Sequence, residues 1–256
     1  MSEPKIIYDN IFSSGVTATD TATGFSVDNI YDLRGYTYWQ AASSGTKYIT
    51  MDYGSDVAVD SLAIFSHNLS TCSATISLES STTGAWAGEE VEQIAGFTVT
   101  TDKAIAKVFT SATIRYWRVK IVTAGIAPQI GVMIAGNAVE FPVYPDLPFT
   151  IANESVNATT EVSKGGHLLG VTSRYSPLSI SVSFTYPAMS FINGDYRTFW
   201  DNHGKLIKPF FWVPNITTYP LNVYFVRMTS GSSFGVSQSD TTNADSLSFR
   251  MEGIAE

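Results

Sequence analysis

Residues 231–235, Gly-Ser-Ser-Phe-Gly, match the G-x-S-x-G pattern that presents a nucleophilic serine in many hydrolases. That chemistry needs a buried strand before the serine and a helix behind it. Here the residues that follow, VSQSDTTNADS, are polar and have no helical period, so the segment reads as a hairpin loop. The histidines are His67, His167 and His203, and no two lie at metal-ligand spacing or in an H-x-x-x-H or H-x-E arrangement. His203 just precedes Gly204 at the expected end of a helix, where a cation would favour the helix dipole. Lys164-Gly165-Gly166-His167 is too short for a phosphate cradle and opens no helix, so it reads as a turn or loop tip. Glu89, Glu90 and Glu92 read as a solvated face, because a glycosidase pair would have to converge in space. Asp20, Asp28, Asp32 and Asp52 could supply oxygens to a calcium ion, although no D-x-D-x-D-G loop holds them. No other cofactor is expected, no catalytic residue is assigned, and the chain is not expected to be an enzyme.

The elements that would position any site come from a 256-residue chain, long enough for two ordinary domains. With 44% hydrophobic and only 15% charged residues it is a globular chain with a sizeable core, not a disordered one. Thirteen Tyr and 15 Phe, abundant Ser and Thr, and little Lys or Glu favour strands over helices. A net charge of −8 disfavours nucleic acid and anionic lipid as partners. One cysteine, Cys72, excludes an internal disulfide framework and a structural zinc site built on several cysteines. The start MSEPK lacks the charged-then-apolar pattern of a signal peptide, so the sequons at Asn68, Asn153, Asn157 and Asn215 read as chance. Ile121 to Val139 carries no charge, yet Pro128, Gln129, Asn137 and its glycines make two short strands a better reading than a bilayer helix.

Short strand patterns recur along the first half: KYITMDYG, SLAIFSHN, ATISLESS, GFTVTT, AKVFTS, RYWRVKIV and GVMIAG. Gly54-Ser55-Asp56, Gly84, Thr101-Asp102 and Gly125 read as the turns between them, a spacing that suggests a sandwich or barrel. FPVYPDLP, with three prolines in Pro142 to Pro148, reads as a stiff connector and a domain boundary. Beyond it come the strand patterns FTIANESV, TTEVSKGG and LSISVSFTYP. A helix is expected near 193–203, capped by Asn193 or Asp195, with Ile192, Tyr196, Phe199 and Trp200 at helical spacing and Gly204 as a left-handed cap. The run KPFFWV, the strand LNVYFVRM, a Ser-rich loop from Thr229 to Ser246 and the strand SLSFRMEG close the chain.

The first 140 or so residues resemble a discoidin (coagulation-factor type C) module of the galactose-binding-like superfamily. The segments that carry this, in order, are FSVDNIYDLRGYTYW with Asn29, Asp32 and Trp39, YITMDYG with Asp52 and Gly54, STTGAW with Trp86, and RYWRVKIV from Arg115 to Val122. STTGAW departs from the family pattern, with Thr83 in place of an Asp and one residue fewer before the Trp, and the usual terminal cysteines are missing. The resemblance implies a jelly-roll sandwich whose end loops, 31–46 and 66–72, bind a sugar, a lipid head group or a protein. Tyr36, Tyr38 and Trp39 are then candidate ligand-binding residues, with the alternative that Trp39 is core.

The second half is similar to bacteriophage tail proteins of the tail-tube and distal-tail kind, through the order strand, strand, helix, apolar strand, hairpin. The segment Phe199 to Trp212, FWDNHGKLIKPFFW, carries most of it. The resemblance implies a tail-tube-like β-barrel or split sandwich with one helix whose subunits join into a ring. Phe210, Phe211 and Trp212, and Ser232 and Phe234 of the Ser-rich loop, are then candidate interface residues. That loop is either plainly flexible or ordered by a neighbouring subunit.

The expected architecture is mainly β: a galactose-binding-like jelly roll over 1–142 and a tail-tube-like domain over 143–256. The expected role is a structural component of a phage tail tip, in the virion and made in the host cytoplasm, with itself and other tail proteins as partners. The alternative is an adhesion protein that recognises a host surface glycan. Neither reading involves membrane insertion.

Overall fold

A computed structural model describes residues 3–150, 152–176, 178–238 and 240–254. Met1, Ile151 and Ser239, which belong to the opening segment, an expected strand and the Ser-rich loop, lie outside them. The protein is mainly β with one helical segment, and it divides into two compact units. The first runs to Phe141 and takes in Phe210–Phe225; the second comprises Pro142–Pro209 and Val226–Ala255.

In the first unit the strand patterns fuse. KYITMDYG and SLAIFSHN form one strand, Gly45–His67, and AKVFTS and RYWRVKIV form its partner, Ile105–Thr123. Gly54-Ser55-Asp56 is therefore not a turn between strands but an excursion within one. Pairing passes from Asp52↔Tyr116 straight to Val57↔Ile114, and a second shift follows Val59. Such irregularities bend a strand and strengthen its twist. Ile49 and Met51 before the bend and Val59, Leu62 and Ile64 after it belong to one buried cluster, so the two limbs fold over the same core. The full antiparallel order is Trp39–Gln40, Gln129–Gly136, Gly45–His67, Ile105–Thr123, Thr75–Ser81 and Val91–Thr98, with Thr17–Ala18 on Gly45–His67. Residues 121–139 hold the end of Ile105–Thr123, then Gln129–Gly136 and the start of Ala138–Glu140, and no helix among the described residues is long and apolar enough to cross a membrane.

A second set of strand pairings in this unit corrects an expectation. Lys5–Ile7 lies between Ala138–Glu140 and Phe210–Val213, with Ile6 opposite both Val139 and Trp212. Phe210, Phe211 and Trp212 are each fully buried, not presented at an oligomer surface. Their rings meet partners in the same unit: Phe211 lies 4.9 Å from Phe225, and Trp212 lies 5.7 Å edge-on from Phe141. The apolar excess that suggested an interface is core.

In the second unit Leu178–Thr185 pairs with Asn153–Glu154 on one side and Ser246–Gly253 on the other, which in turn pairs with residues 226–228. No pairing among the described residues closes this run, so the expected barrel is an open sheet. Strict alternation buries Ile180, Val182 and Phe184 on one strand and Leu247, Phe249 and Met251 on the next. The helical segment packs there, with the Tyr196 ring 5.9 Å from that of Phe249. It starts earlier than expected, at Met189, passes through a π-turn at Ile192–Tyr196 and ends at Asn202.

Its end also differs from the expected pattern. The left-handed residue is Ile207 (φ 53°), while Gly204 opens a 3-10 turn where an added Cβ would lie 3.0 Å from the Trp200 ring. His203 is buried with Nε2 bonded to the Pro209 carbonyl. Burial holds its pKa down to about 4, so at neutral pH it is not the cation expected at a helix end.

The described residues of the Ser-rich loop make contacts within their own unit. Val236–Ser237 pairs back onto Ser246–Gly253, Phe234 stacks 5.6 Å from Tyr196 under Arg197, and Ser232 bonds Thr229 at 3.0 Å. Ser232 and Phe234 are half-buried by these contacts.

His203 sets a pH dependence. The unfolded chain takes up a proton below about pH 6.5 that the folded chain refuses until about pH 4. Its contribution to stability is whole above pH 6.5 and is lost as the pH falls from there towards 4. Urea midpoints at pH 7 and pH 4.5 check this: the wild type is expected to lose more than His203→Gln. Equal losses would remove His203 from the account.

Candidate functional site

The loop that follows the 3-10 turn Val27–Tyr31 is fixed by side chains at both ends. Ser26 caps that turn by accepting from the Asp28 amide. Asp32 accepts from the Arg34 amide at 2.8 Å and the Thr37 hydroxyl at 2.6 Å, a local Asx arrangement that lets Leu33 hold φ 62°. Asn29 donates to the Tyr38 carbonyl at 2.9 Å, and the Tyr38 ring stacks on Phe25 at 4.9 Å. At the tip, Gly35 comes so close to the core that an added Cβ would lie 2.7 Å from Phe65, and its carbonyl accepts from the Ser66 hydroxyl at 2.7 Å. With its neighbour pinned inward, the Tyr36 side chain stands out in solvent, 77% exposed.

Tyr36 and Tyr38 edge a cleft of about 320 Å³ whose floor is made by Ser66, His67, Asn68, Asp102 and Gln129. The polar groups of the floor bond largely to backbone. His67 donates from Nε2 to the Lys103 carbonyl at 2.9 Å and accepts at Nδ1 from the Leu69 amide at 3.2 Å. Both ring nitrogens are thus committed to the neutral form, and burial holds its pKa down. Asp102 accepts from the Ser70 amide at 2.7 Å, the Thr71 amide at 3.2 Å and the Thr71 hydroxyl at 2.5 Å. Burial pushes its pKa up, but these donors outweigh it and keep the carboxyl below its usual range. Asn68 spans two groups, accepting from the Gln129 amide and donating to the Ala127 carbonyl. No cationic side chain lines the cleft.

Of the three residues expected to bind ligand, the structure brings Tyr36 and Tyr38 to this cleft and withdraws Trp39. Trp39 is fully buried and its indole donates to the Thr21 hydroxyl at 3.1 Å, which makes it core. Asp102 and His67 carried no signal beyond a turn residue and an isolated histidine, because they meet only across the fold. The four aspartates considered for calcium do not converge. Asp20 binds Lys47 at 2.6 Å, Asp28 meets Tyr31, Asp32 closes its own loop, and Asp52 forms a two-bond pair with Arg115 at 2.6 and 2.8 Å. Among the described residues no three His, Cys, Asp or Glu side chains form a metal-binding group.

No family model matches the chain, and no curated protein does. Solved structures do resemble half of it. A chitosan-binding module from a chitosanase/glucanase of Paenibacillus sp. IK-5 is 20% identical over 51% of this chain and all of its own, at a TM-score of 0.42. A family-32 carbohydrate-binding module of AlyQ, in complex with 4,5-unsaturated mannuronic acid, is 24% identical over 48% of this chain and 95% of its own, at 0.41. A family-32 module from Clostridium perfringens, in complex with GalNAc-β-1,3-galactose, is 13% identical over 48% and 94%, at 0.41. Nothing in these comparisons supports the phage tail reading of the second half.

Elsewhere in the unit a second group of polar residues holds a loop. Arg118 lies between the rings of Tyr48 at 4.3 Å and Trp86 at 4.1 Å, while its Nε donates to the buried Glu79 at 2.5 Å. Glu89 is not merely solvated, as the acidic cluster suggested. It accepts from the Ser81 and Thr83 hydroxyls and the Ala85 amide, and the two hydroxyls lead in holding its pKa to about 2.

The Asp102 fastening is open to a direct test. Asp102→Asn removes a charged acceptor of three hydrogen bonds and is expected to cost about 1–3 kcal/mol in a urea melt. Hydrogen exchange at the Ser70 and Thr71 amides should speed up several-fold. Unchanged protection of both amides would show that the loop does not depend on this carboxylate.

Proposed function

We propose that the first unit binds a glycan, and that the ligand is a neutral sugar stacked on Tyr36 and Tyr38 at the cleft between the loops. The observation that carries this is the position of Tyr36, an exposed aromatic on a loop fastened at both ends. A planar ring held in solvent at the edge of a polar cleft offers an apolar face to a sugar, with hydroxyl acceptors beneath, and loses little entropy on binding. The only charge in the lining is Asp102, which accepts sugar hydroxyls but repels acidic sugars. The sequence resemblance to discoidin modules, which bind with loops at one end of the sandwich, points the same way. The proposed role is binding without turnover.

A glycan array followed by calorimetry tests it. Tyr36→Ala should weaken binding of an array-positive neutral glycan by about tenfold, the scale of roughly 1–2 kcal/mol for an aromatic contact. The melting temperature should stay unchanged, because the side chain is exposed. Silence of the wild type across neutral glycans would sink the proposal.

A second reading, assembly with copies of itself as a phage tail tip role in the virion would require, rests on a different observation that bears on the self-assembly alone. Asn157–Val162 and Leu168–Tyr175 form a two-stranded ribbon with no third strand beside it among the described residues. Val162 (62%), Leu168 (62%), Leu169 (70%) and Val171 (56%) on it are exposed. A lone ribbon is marginally stable in water, and its open edges and apolar side chains are surfaces that another chain can cover. Mass photometry at micromolar concentration should detect multimers that disappear when Val162, Leu168 and Val171 are replaced by Thr. A wild type that stays monomeric would count against this reading.

A further inference from the structure

The second unit holds a larger cleft, of about 690 Å³, on the solvent face of its sheet. Its floor follows from the strand alternation. With Ile180, Val182 and Phe184 turned into the core, Ser179, Ser181 and Ser183 face outward, and with Leu247, Phe249 and Met251 inward, Ser248 and Arg250 face outward beside them. Register sets Ser181 directly opposite Arg250 and Ser183 opposite Ser248, close enough for opposed side chains to act on one ligand. One wall is the turn after Met228, anchored where the Thr229 amide donates to the Arg250 carbonyl at 3.1 Å. The other is the connector, anchored where the Asp146 amide donates to the Ser183 carbonyl at 2.8 Å.

The charge pattern of this cleft is the reverse of the first. Arg227 in the same sheet is paired with Glu252 at 2.9 Å, but among the described residues no carboxylate pairs with the Arg250 guanidinium. The one carboxylate in the lining, Asp146, directs both oxygens at Thr185, accepting from its amide at 3.1 Å and its hydroxyl at 3.0 Å. An unpaired guanidinium offers a planar fork of donors suited to an oxyanion. Serine hydroxyls on either side both donate and accept, and so complement the hydroxyls of a polyol. The volume is that of a small-molecule site, beyond what a bare ion fills.

We propose that this cleft is a second, separate ligand site that takes an acidic saccharide, with its carboxylate on Arg250 and its hydroxyls on the Ser181, Ser183 and Ser248 floor. It lies wholly in the second unit, uses no residue of the Tyr36 cleft, and takes the charge class that cleft excludes.

Calorimetry on the full chain, with tri-galacturonate, neutral tri-galactose and inorganic phosphate as probes, tests it. Tri-galacturonate should bind, and Arg250→Ala should weaken it at least tenfold, as should Ser181→Phe, which fills the floor while keeping the guanidinium. Arg250 and Ser181 are exposed, so the melting temperature of each variant checks that the fold is kept. Tyr36→Ala should leave this affinity unchanged, which separates failure here from failure of the first site. No binding of tri-galacturonate at millimolar concentration, binding that survives Arg250→Ala, or phosphate bound as tightly as the saccharide would each overturn the proposal.

Discussion

Gly45–His67 and Ile105–Thr123 are hydrogen-bonded from Gly45↔Thr123 to Ile64↔Ile105, and the break in register between Asp52 and Val57 lets this one ladder line both sides of the first core. Because side chains alternate, a register change decides which residues face inward. The core positions run Ile49, Met51 and Val59 on odd numbers, then Leu62 and Ile64 on even ones. The first irregularity keeps the parity, and the second, after Val59, switches it. The opposite face of the second limb is then free to take other cover, and Phe65 meets Phe225 there at 4.5 Å. Gly35 rests against that same Phe65, so the exposure of Tyr36 depends on the bend through a short chain of contacts.

The loops around this frame are held mainly by side chains that bind backbone. Asp32, Asn68, His67, Asp102 and Glu89 each satisfy amides or carbonyls that no strand partner reaches. A carboxylate held below its usual pKa by several donors is a poor proton acceptor, and a histidine with both nitrogens bonded is poorly placed to shuttle protons. In Asp102, Glu89 and His67 the groups that fasten the loops are thereby withdrawn from proton transfer. A rigid rim of aromatic and hydroxyl groups suits recognition, where little ordering remains to be done when the ligand arrives.

Strand content, the alternating faces of Leu178–Thr185 and Ser246–Gly253, and the single helical segment were legible in the sequence, because each is a local pattern. The Tyr36 loop was legible as a candidate for the same reason, since aromatics cluster within a few residues. What could not be read depends on partners far along the chain. Gly54-Ser55-Asp56 has the composition of a turn, and only pairing with Tyr116 and Ile114 reveals it as a bend within one strand. Phe210–Trp212 looked like a surplus because the strand it pairs with, Lys5–Ile7, lies some two hundred residues earlier. His203 sits where a helix-end cation would, but the chain beyond it folds back through Pro209 and buries the ring. Asp102 and His67 have no shared motif, and only the approach of two loops joins them.

The net charge of −8 bears on the two clefts unequally. A diffuse negative field falls off within about 8 Å at physiological ionic strength, whereas a guanidinium in contact with a carboxylate acts at hydrogen-bond distance. The overall charge therefore slows an acidic ligand's approach in dilute salt without cancelling a local cation such as Arg250. At the first cleft the field and the local charge, Asp102, have the same sign, so both repel an anion. Discrimination between neutral and acidic sugars would then arise from one charged side chain in each cleft, set on sheet and loop positions that the surrounding hydrogen bonds keep fixed.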